Sequence, residues 1–218
     1  MNPSREILAQ APMVPVIALQ NEAHAIPLAE ALVRGGLPVL EVTLRTAAGL
    51  PAIRAIADAV PGAIVGAGTV RNARDFQAAV EAGSRFVITP GISSPTLERA
   101  ATASVPLIPG IATASELMLA MDHGLDTLKF FPAETSGGAA ALKAFAGPFP
   151  EVHFCPTGGI AMHNLLHYLE LPTVITAGGS WVTPSSLVAS EDWDGIAELA
   201  REVAQAVEEH TRGKAADS

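Results

Sequence analysis

Short apolar runs recur along the chain, and each is followed by a stretch in which apolar positions return every three or four residues. The first rhythm belongs to strands buried on both faces and the second to amphipathic helices, with Gly and Pro marking the joints. Strands are predicted at residues 13–19, 39–43, 63–66, 86–89, 107–108, 127–131, 152–155 and 174–177. Helices are predicted at 23–34, 51–59, 73–82, 95–103, 114–123, 139–145 and 164–169, with a last one from 193 to about 208. A short leading helix ends near Gln10, with Ser4 as its candidate cap. The polar stretch from about residue 210, with Arg212-Gly213-Lys214, is expected to fray.

The predicted strands begin about 20 to 26 residues apart, which is the spacing of a βα repeat, and no change of composition marks a linker. The pattern predicts an α/β protein: one (β/α)8 TIM barrel domain over residues 1–218, with a short N-terminal helix. A doubly wound open sheet is the alternative. It calls for a Gly-x-Gly-x-x-Gly turn after the first strand, where this chain has Leu19-Gln20-Asn21-Glu22. A barrel gathers its chemistry at the C-terminal ends of the strands, and the polar residues of this chain collect there.

Composition narrows the field further. Of 218 residues, 49% are hydrophobic and only 16% charged, which suits a compact α/β protein and leaves room for surface hidden in an oligomer. The formal net charge of −9, with no basic cluster to offset it, argues against nucleic acid as a partner. Any anionic ligand must then be held by local geometry. Cys155 is the only cysteine, so an internal disulfide is excluded and a reducing compartment fits; at a strand end it reads as an inert buried thiol. Neither a signal peptide after Met1 nor an uncharged membrane-spanning run is present, so no membrane partner and a cytoplasmic location are expected.

One charge interrupts an otherwise apolar strand, in Thr127-Leu128-Lys129-Phe130-Phe131-Pro132. Alternation puts Thr127, Lys129 and Phe131 on one face and Leu128 and Phe130 on the other. A buried ammonium is costly, and the cost is relieved by pairing the charge or by releasing the proton to leave a nucleophilic amine. The second route is how Schiff-base lysines arise, whereas the plainer alternative is a lysine snorkelling from a strand end. In Val39-Leu40-Glu41-Val42-Thr43 the same alternation points Glu41 inward, as a general acid/base or as an ion pair with Lys129 or Arg45. Arg45, just past that strand, can aim a planar fork at a carboxylate or lie solvated in a loop.

Thr69, Thr89 and Thr157 each follow a strand and offer hydroxyls at the barrel mouth. The turns Thr157-Gly158-Gly159 and Gly178-Gly179-Ser180 follow strands seven and eight, where barrels commonly bind phosphate through backbone N–H groups. Ordinary tight turns are the other reading. His163 and His167 have metal-ligand spacing without a third ligand nearby, so no metal is expected and they read as surface histidines. Trp181 and Trp193 read as packing residues or a subunit contact.

Four segments together, Leu40-Glu41-Val42-Thr43-Leu44-Arg45-Thr46, Gly66-Ala67-Gly68-Thr69-Val70, Lys129-Phe130-Phe131-Pro132-Ala133-Glu134 and Phe154-Cys155-Pro156-Thr157-Gly158-Gly159, resemble the signature segments of the 2-keto-3-deoxy-6-phosphogluconate (KDPG) and 4-hydroxy-2-oxoglutarate aldolase family. The resemblance covers residues 12–204. It implies a (β/α)8 barrel, a homotrimer, no cofactor, and class I cleavage of a phosphorylated keto acid in the Entner–Doudoroff pathway. By the same resemblance Lys129 is the Schiff-base lysine and Glu41 the proton-transfer carboxylate. Arg45 and Thr69 hold the keto-acid carboxylate, and Thr157, Pro90 and Phe131 line the same site. Gly158, Gly159, Gly179 and Ser180 form the phosphate end. Ala18 stands where some members carry an arginine, so one cation of those relatives is missing here.

The rivals are the same chemistry on the galactonate epimer or on 4-hydroxy-2-oxoglutarate, a phosphosugar isomerase, and a phosphosugar-binding barrel without lyase activity. An isomerase of this kind wants a histidine at a C-terminal strand end, and none of the 6 histidines is predicted there. A binding protein leaves the coincidence of Glu41 and Lys129 unexplained.

Overall fold

A computed structural model describes residues 2–216. Among the described residues nine short strands occur, with a helix between each successive pair except β5 and β6: β1 (Val14–Ile17), β2 (Val39–Thr43), β3 (Ile64–Gly68), β4 (Val87–Ile88), β5 (Leu107–Ile108), β6 (Gly110–Ile111), β7 (Thr127–Phe130), β8 (His153–Pro156) and β9 (Gly178–Gly179). Every pairing between them is parallel. Six strands run in the order β5-β4-β3-β2-β1-β9 and three in the order β6-β7-β8. The result is an α/β fold built on a curled parallel sheet, as the βα spacing predicts.

Both faces of the strands are buried, and their side chains divide between two cores. Leu40 and Val42 of β2, Val87 of β4, Leu107 of β5, Leu128 and Phe130 of β7, and Phe154 of β8 pack outward in the large core shared with the helices. Their alternates Val39, Ile88, Ile108 and Cys155 turn inward with Phe86 and Val14. Leu8 and Ala11, at and just beyond the end of the leading helix α1 (Pro3–Leu8), close the inner core at the N-terminal end of the strands. Leu8 has no exposed surface, so its truncation to Ala should cost about 2–5 kcal/mol.

Three local expectations are corrected and one strand is added. The cap of α1 is Asn2, whose side chain accepts from the Ser4 N–H at 2.9 Å, with Pro3 preset in the first turn; Ser4 lies inside the helix. The fifth predicted strand, 107–108, is β5 as expected; past Pro109 the chain adds the unpredicted β6, and because β5 pairs with β4 and β6 with β7, a single run of chain serves both sheets. The eighth strand is β9, at Gly178–Gly179, while Val174 makes only an isolated bridge to Phe154. The last helix, α10 (Trp193–Ala216), runs past residue 208, where the sequence pattern ends it.

The other helices are α2 (Ala25–Arg34), α3 (Gly49–Ala59), α4 (Ala73–Glu81), α5 (Ser94–Ala101), α6 (Ala114–Asp122), α7 (Gly138–Phe145), α8 (Met162–Leu169) and the unpredicted α9 (Ser185–Ala189). Two of these begin on a side-chain cap: Asn72 accepts from the Asp75 N–H at the start of α4, and α6 starts on Thr113. Thr113 and Glu116 form a reciprocal capping box on α6: the Glu116 N–H donates to the Thr113 hydroxyl at 3.3 Å, and the Thr113 N–H donates back to the Glu116 carboxylate at 2.9 Å.

Candidate active site

Lys129 lies between Gly110 of β6 and Cys155 of β8 in the strand register, and its neighbours Leu128 and Phe130 point out into the helical core. Its side chain therefore turns inward and crosses to β2, where Nζ donates to Glu41 Oε1 at 3.0 Å and lies 3.4 Å from Oε2. Side-chain exposure is 6% for Lys129 and 2% for Glu41. Of the two cationic partners the sequence allows Glu41, the fold selects the lysine.

At this separation the Coulomb attraction is worth about 5 kcal/mol at an effective dielectric constant near 20, while desolvation costs several kcal/mol for each ion. The pair therefore adds little net stability. Two buried charges held at that cost are better explained by chemistry than by folding.

Gly68, at the end of β3, fixes the carboxylate from below. A Cβ built there would lie 2.2 Å from Glu41 Oε1 and 2.5 Å from its Cγ, so only glycine leaves room for this rotamer. Thr69 follows at φ 57°, a left-handed conformation that costs a residue with a Cβ about 1–2 kcal/mol. It is half-buried at the rim, directly beyond the residue that cradles Glu41.

Around the amine, the Phe131 ring centroid lies 5.2 Å from Nζ, within cation–π range. Cys155 is 1% exposed, and burial pushes its thiol up to about 12; the nearby Lys129 charge pulls it back only in part, and Glu41 opposes that. A neutral thiol there makes an uncharged wall. Thr157 is buried and bridges to Gly178 of β9. Thr89, also buried, accepts from the Gly110 N–H at 3.2 Å, which sets the exposed Pro90 at the rim beside the strand that flanks Lys129.

Arg45 is exposed just beyond β2. Its Nε donates to the Thr43 hydroxyl at 3.2 Å, and that hydroxyl donates to the Ile17 carbonyl at 2.9 Å. Arg45 lines a cavity of about 460 Å3 together with Ala18, Gln20, Ser180 and Thr183. Ala18 leaves the end of β1 without a cation. Gly158 and Gly159 adopt φ of 100° and 79°, a successive left-handed pair, and their N–H groups find no acceptor among the described residues. Gly179 is buried in β9, and Ser180 follows it into the cavity. A slightly larger cavity, about 510 Å3, opens beside Asn2, Leu107 and Asp126 and contains none of these groups.

The sequence-predicted site residues thus lie in the C-terminal parts of the strands or just beyond them: Lys129 meets Glu41 and Phe131, whereas Arg45 and Ser180 share a cavity that the lysine and the carboxylate do not line. Three contributors escaped sequence reasoning. Gly68 had a signal, since Gly66-Ala67-Gly68 in a strand marks close approach by a neighbour. Thr43 had none beyond sharing Glu41's face. Glu134 accepts from the Tyr168 hydroxyl, and burial followed by that contact raises the phenol above its ordinary range; the contact ties the segment after β7 to α8. His163 and His167 are exposed, with His167 Nδ1 3.6 Å from Glu170. Trp193 meets His24 edge to face at 5.6 Å between centroids. Among the described residues no helix is long and apolar enough to cross a membrane.

A buried lysine amine against a carboxylate, with uncommitted N–H donors at the rim, is an arrangement able to support imine chemistry on an anionic carbonyl compound. Comparison with known proteins agrees. The family model described as KDPG and KHG aldolase, where KHG is 4-hydroxy-2-oxoglutarate, matches residues 5–199. The KHG/KDPG aldolase of Escherichia coli K12 is 53% identical over 202 residues, covering 93% of this chain and 95% of that one. A crystal structure of KDPG aldolase from Legionella pneumophila, with pyruvate captured as a covalent carbinolamine, superimposes with a TM-score of 0.90 at 43% identity, covering 93% and 98%. The 2-keto-3-deoxy-6-phosphogluconate aldolase of Zymomonas mobilis ZM4 with 3-phosphoglycerate gives 0.87 at 46% identity, covering 92% and 94%. The chain belongs to the KDPG and KHG aldolase family. It is an enzyme, an aldolase of the lyase class.

Proposed function

We propose that the chain cleaves the C3–C4 bond of 2-keto-3-deoxy-6-phosphogluconate to pyruvate and glyceraldehyde 3-phosphate through a Schiff base on Lys129. The observation that carries the reading is the 3.0 Å approach of Lys129 Nζ to Glu41 Oε1, both groups nearly removed from solvent. Glu41 accepts the ammonium proton, and the freed amine attacks the C2 ketone to give a carbinolamine. Glu41 returns that proton to the departing hydroxyl, and loss of water leaves a cationic imine beside the carboxylate.

Glu41, relayed by a water, takes the C4 hydroxyl proton as the C3–C4 electron pair moves into the imine; glyceraldehyde 3-phosphate leaves and an enamine remains. Protonation of the enamine at C3 from Glu41 gives the pyruvate imine, and hydrolysis frees Lys129. The imine itself is the electron sink, so the reaction calls for no cofactor. Arg45 and Thr69 hold the carboxylate, with Thr157, Pro90 and Phe131 around the keto acid. The Gly158 and Gly159 N–H groups, Gly179 and Ser180 take the phosphate without needing a cation.

We read the curled sheet as a closed (β/α)8 ring in one domain. Support comes from residues 107–111, which feed both sheets, and from the bridges Phe154 to Val174 and Thr157 to Gly178, which join β8 to the segment of β9. A homotrimer in the cytoplasm fits the family resemblance, the 16% charged content and the exposed Met118 and Met162.

A second activity, cleavage of 4-hydroxy-2-oxoglutarate to pyruvate and glyoxylate, is favoured by the dual name of the Escherichia coli relative. A lactate-dehydrogenase-coupled assay of pyruvate release on the gluconate phosphate, its galactonate epimer and 4-hydroxy-2-oxoglutarate tests the proposal. The highest kcat/KM is expected for the gluconate phosphate. Pyruvate from none of the three overturns the reading.

A further inference from the structure

We propose that Thr43 is a positioning residue that sets the Arg45 guanidinium end-on to the substrate carboxylate. The inference rests on the reading above that Arg45 binds that carboxylate.

A threonine hydroxyl has one proton and two acceptor lone pairs. Thr43, 1% exposed, commits its proton to the Ile17 carbonyl of β1 at 2.9 Å, so toward Arg45 it can only accept. It accepts from Nε at 3.2 Å. The direction of the chain is thereby fixed, from guanidinium to hydroxyl to strand carbonyl. Nε lies in the guanidinium plane, so holding it fixes that plane relative to β1 and β2.

Arg45 is otherwise exposed, and no ion-pair or other hydrogen-bond partner reaches it among the described residues. Without Thr43 its flexible side chain would have to be ordered by the substrate alone. The bond also selects a binding mode. With Nε–H occupied, a carboxylate cannot dock side-on across Nε and one Nη, and the end-on pair Nη1/Nη2 remains for two parallel bonds. The hydroxyl and Glu41 share the inward face of β2, so a single strand sets both the proton-transfer group and the carboxylate clamp.

The test removes the hydroxyl and keeps its shape. Thr43→Val should raise the half-saturation concentration for pyruvate, read by borohydride trapping of the imine, and the KM for the aldol substrate, each about tenfold, while kcat falls by less than about threefold. Thr43→Ser, which keeps the hydroxyl, should return both toward wild type. A role confined to joining β1 and β2 predicts a lower Tm with unchanged half-saturation, and that result overturns the proposal. In an Arg45→Met background the Thr43→Val effect should vanish; an undiminished effect there also overturns it. If Arg45→Met alone leaves half-saturation unchanged, the placing of the carboxylate on Arg45 fails and this inference with it, whereas trapping at Lys129 still reports on the imine chemistry separately.

Discussion

Glu41 and Gly68 fit so closely that a single methyl group added to the glycine would lie 2.2 Å from the carboxylate oxygen that meets Lys129. The carboxylate proposed as the acid/base group is therefore held from two sides, by the ammonium above and by bare backbone below. Gly68→Ala must push the carboxylate away from Nζ. We expect kcat to fall about 100-fold, as for other small displacements of a catalytic group, with a stability loss of about 1–3 kcal/mol from overpacking. Steady-state kinetics with a thermal melt checks both; an unchanged kcat would mean that the position of Glu41 is not critical.

Glu41→Gln keeps the shape of the side chain and removes its proton chemistry. Turnover should drop about 10²–10⁴-fold, while borohydride trapping of pyruvate still labels the protein. Single-turnover kinetics beside the trapping yield separates the two steps. A variant that turns over normally assigns the proton transfers to another group.

The fold was legible where physics writes into sequence. Strands buried on both faces read as apolar runs, and Lys129 and Glu41 stood out because a charge inside such a run has few explanations. The eighth strand was misplaced because Val174 and Ile175 carry the apolar signal, whereas the pairing residues Gly178 and Gly179 have no side chains to give one. The five-residue α9 is too short for a period to show. Contacts such as Gly68 under Glu41, Thr43 behind Arg45 and Tyr168 on Glu134 depend on which strands and helices become neighbours, which no local pattern encodes.

At the proposed phosphate end, Ser180 shares the cavity with Arg45, the cation proposed to be taken up by the substrate carboxylate. Ser180→Asp should raise the KM for the phosphorylated substrate about tenfold or more through repulsion. Half-saturation by pyruvate, which has no distal phosphate, should stay unchanged in the imine-trapping assay. Equal weakening of both would place the phosphate elsewhere.

Cys155 links the site to alkaline stability. Its thiol is raised from an ordinary 9.0 to about 12 by burial, so the folded state keeps a proton that the unfolded chain loses above pH 9. The stability this group contributes is fully present below pH 9 and is lost between pH 9 and about 12, at about 1.4 kcal/mol per pH unit. Urea melts of wild type and Cys155→Ala across that range should show a steeper decline for wild type. Parallel curves would contradict a protonated buried thiol.

The central claim is that one shielded amine carries the covalent step. Borohydride reduction in the presence of pyruvate, followed by peptide mass spectrometry, tests it most directly. A reduced pyruvate adduct is expected on the peptide carrying Lys129, and its loss in Lys129→Ala together with all turnover. Unmodified Lys129, or an adduct on Lys143 or Lys214 in a protein that still releases pyruvate, would contradict it.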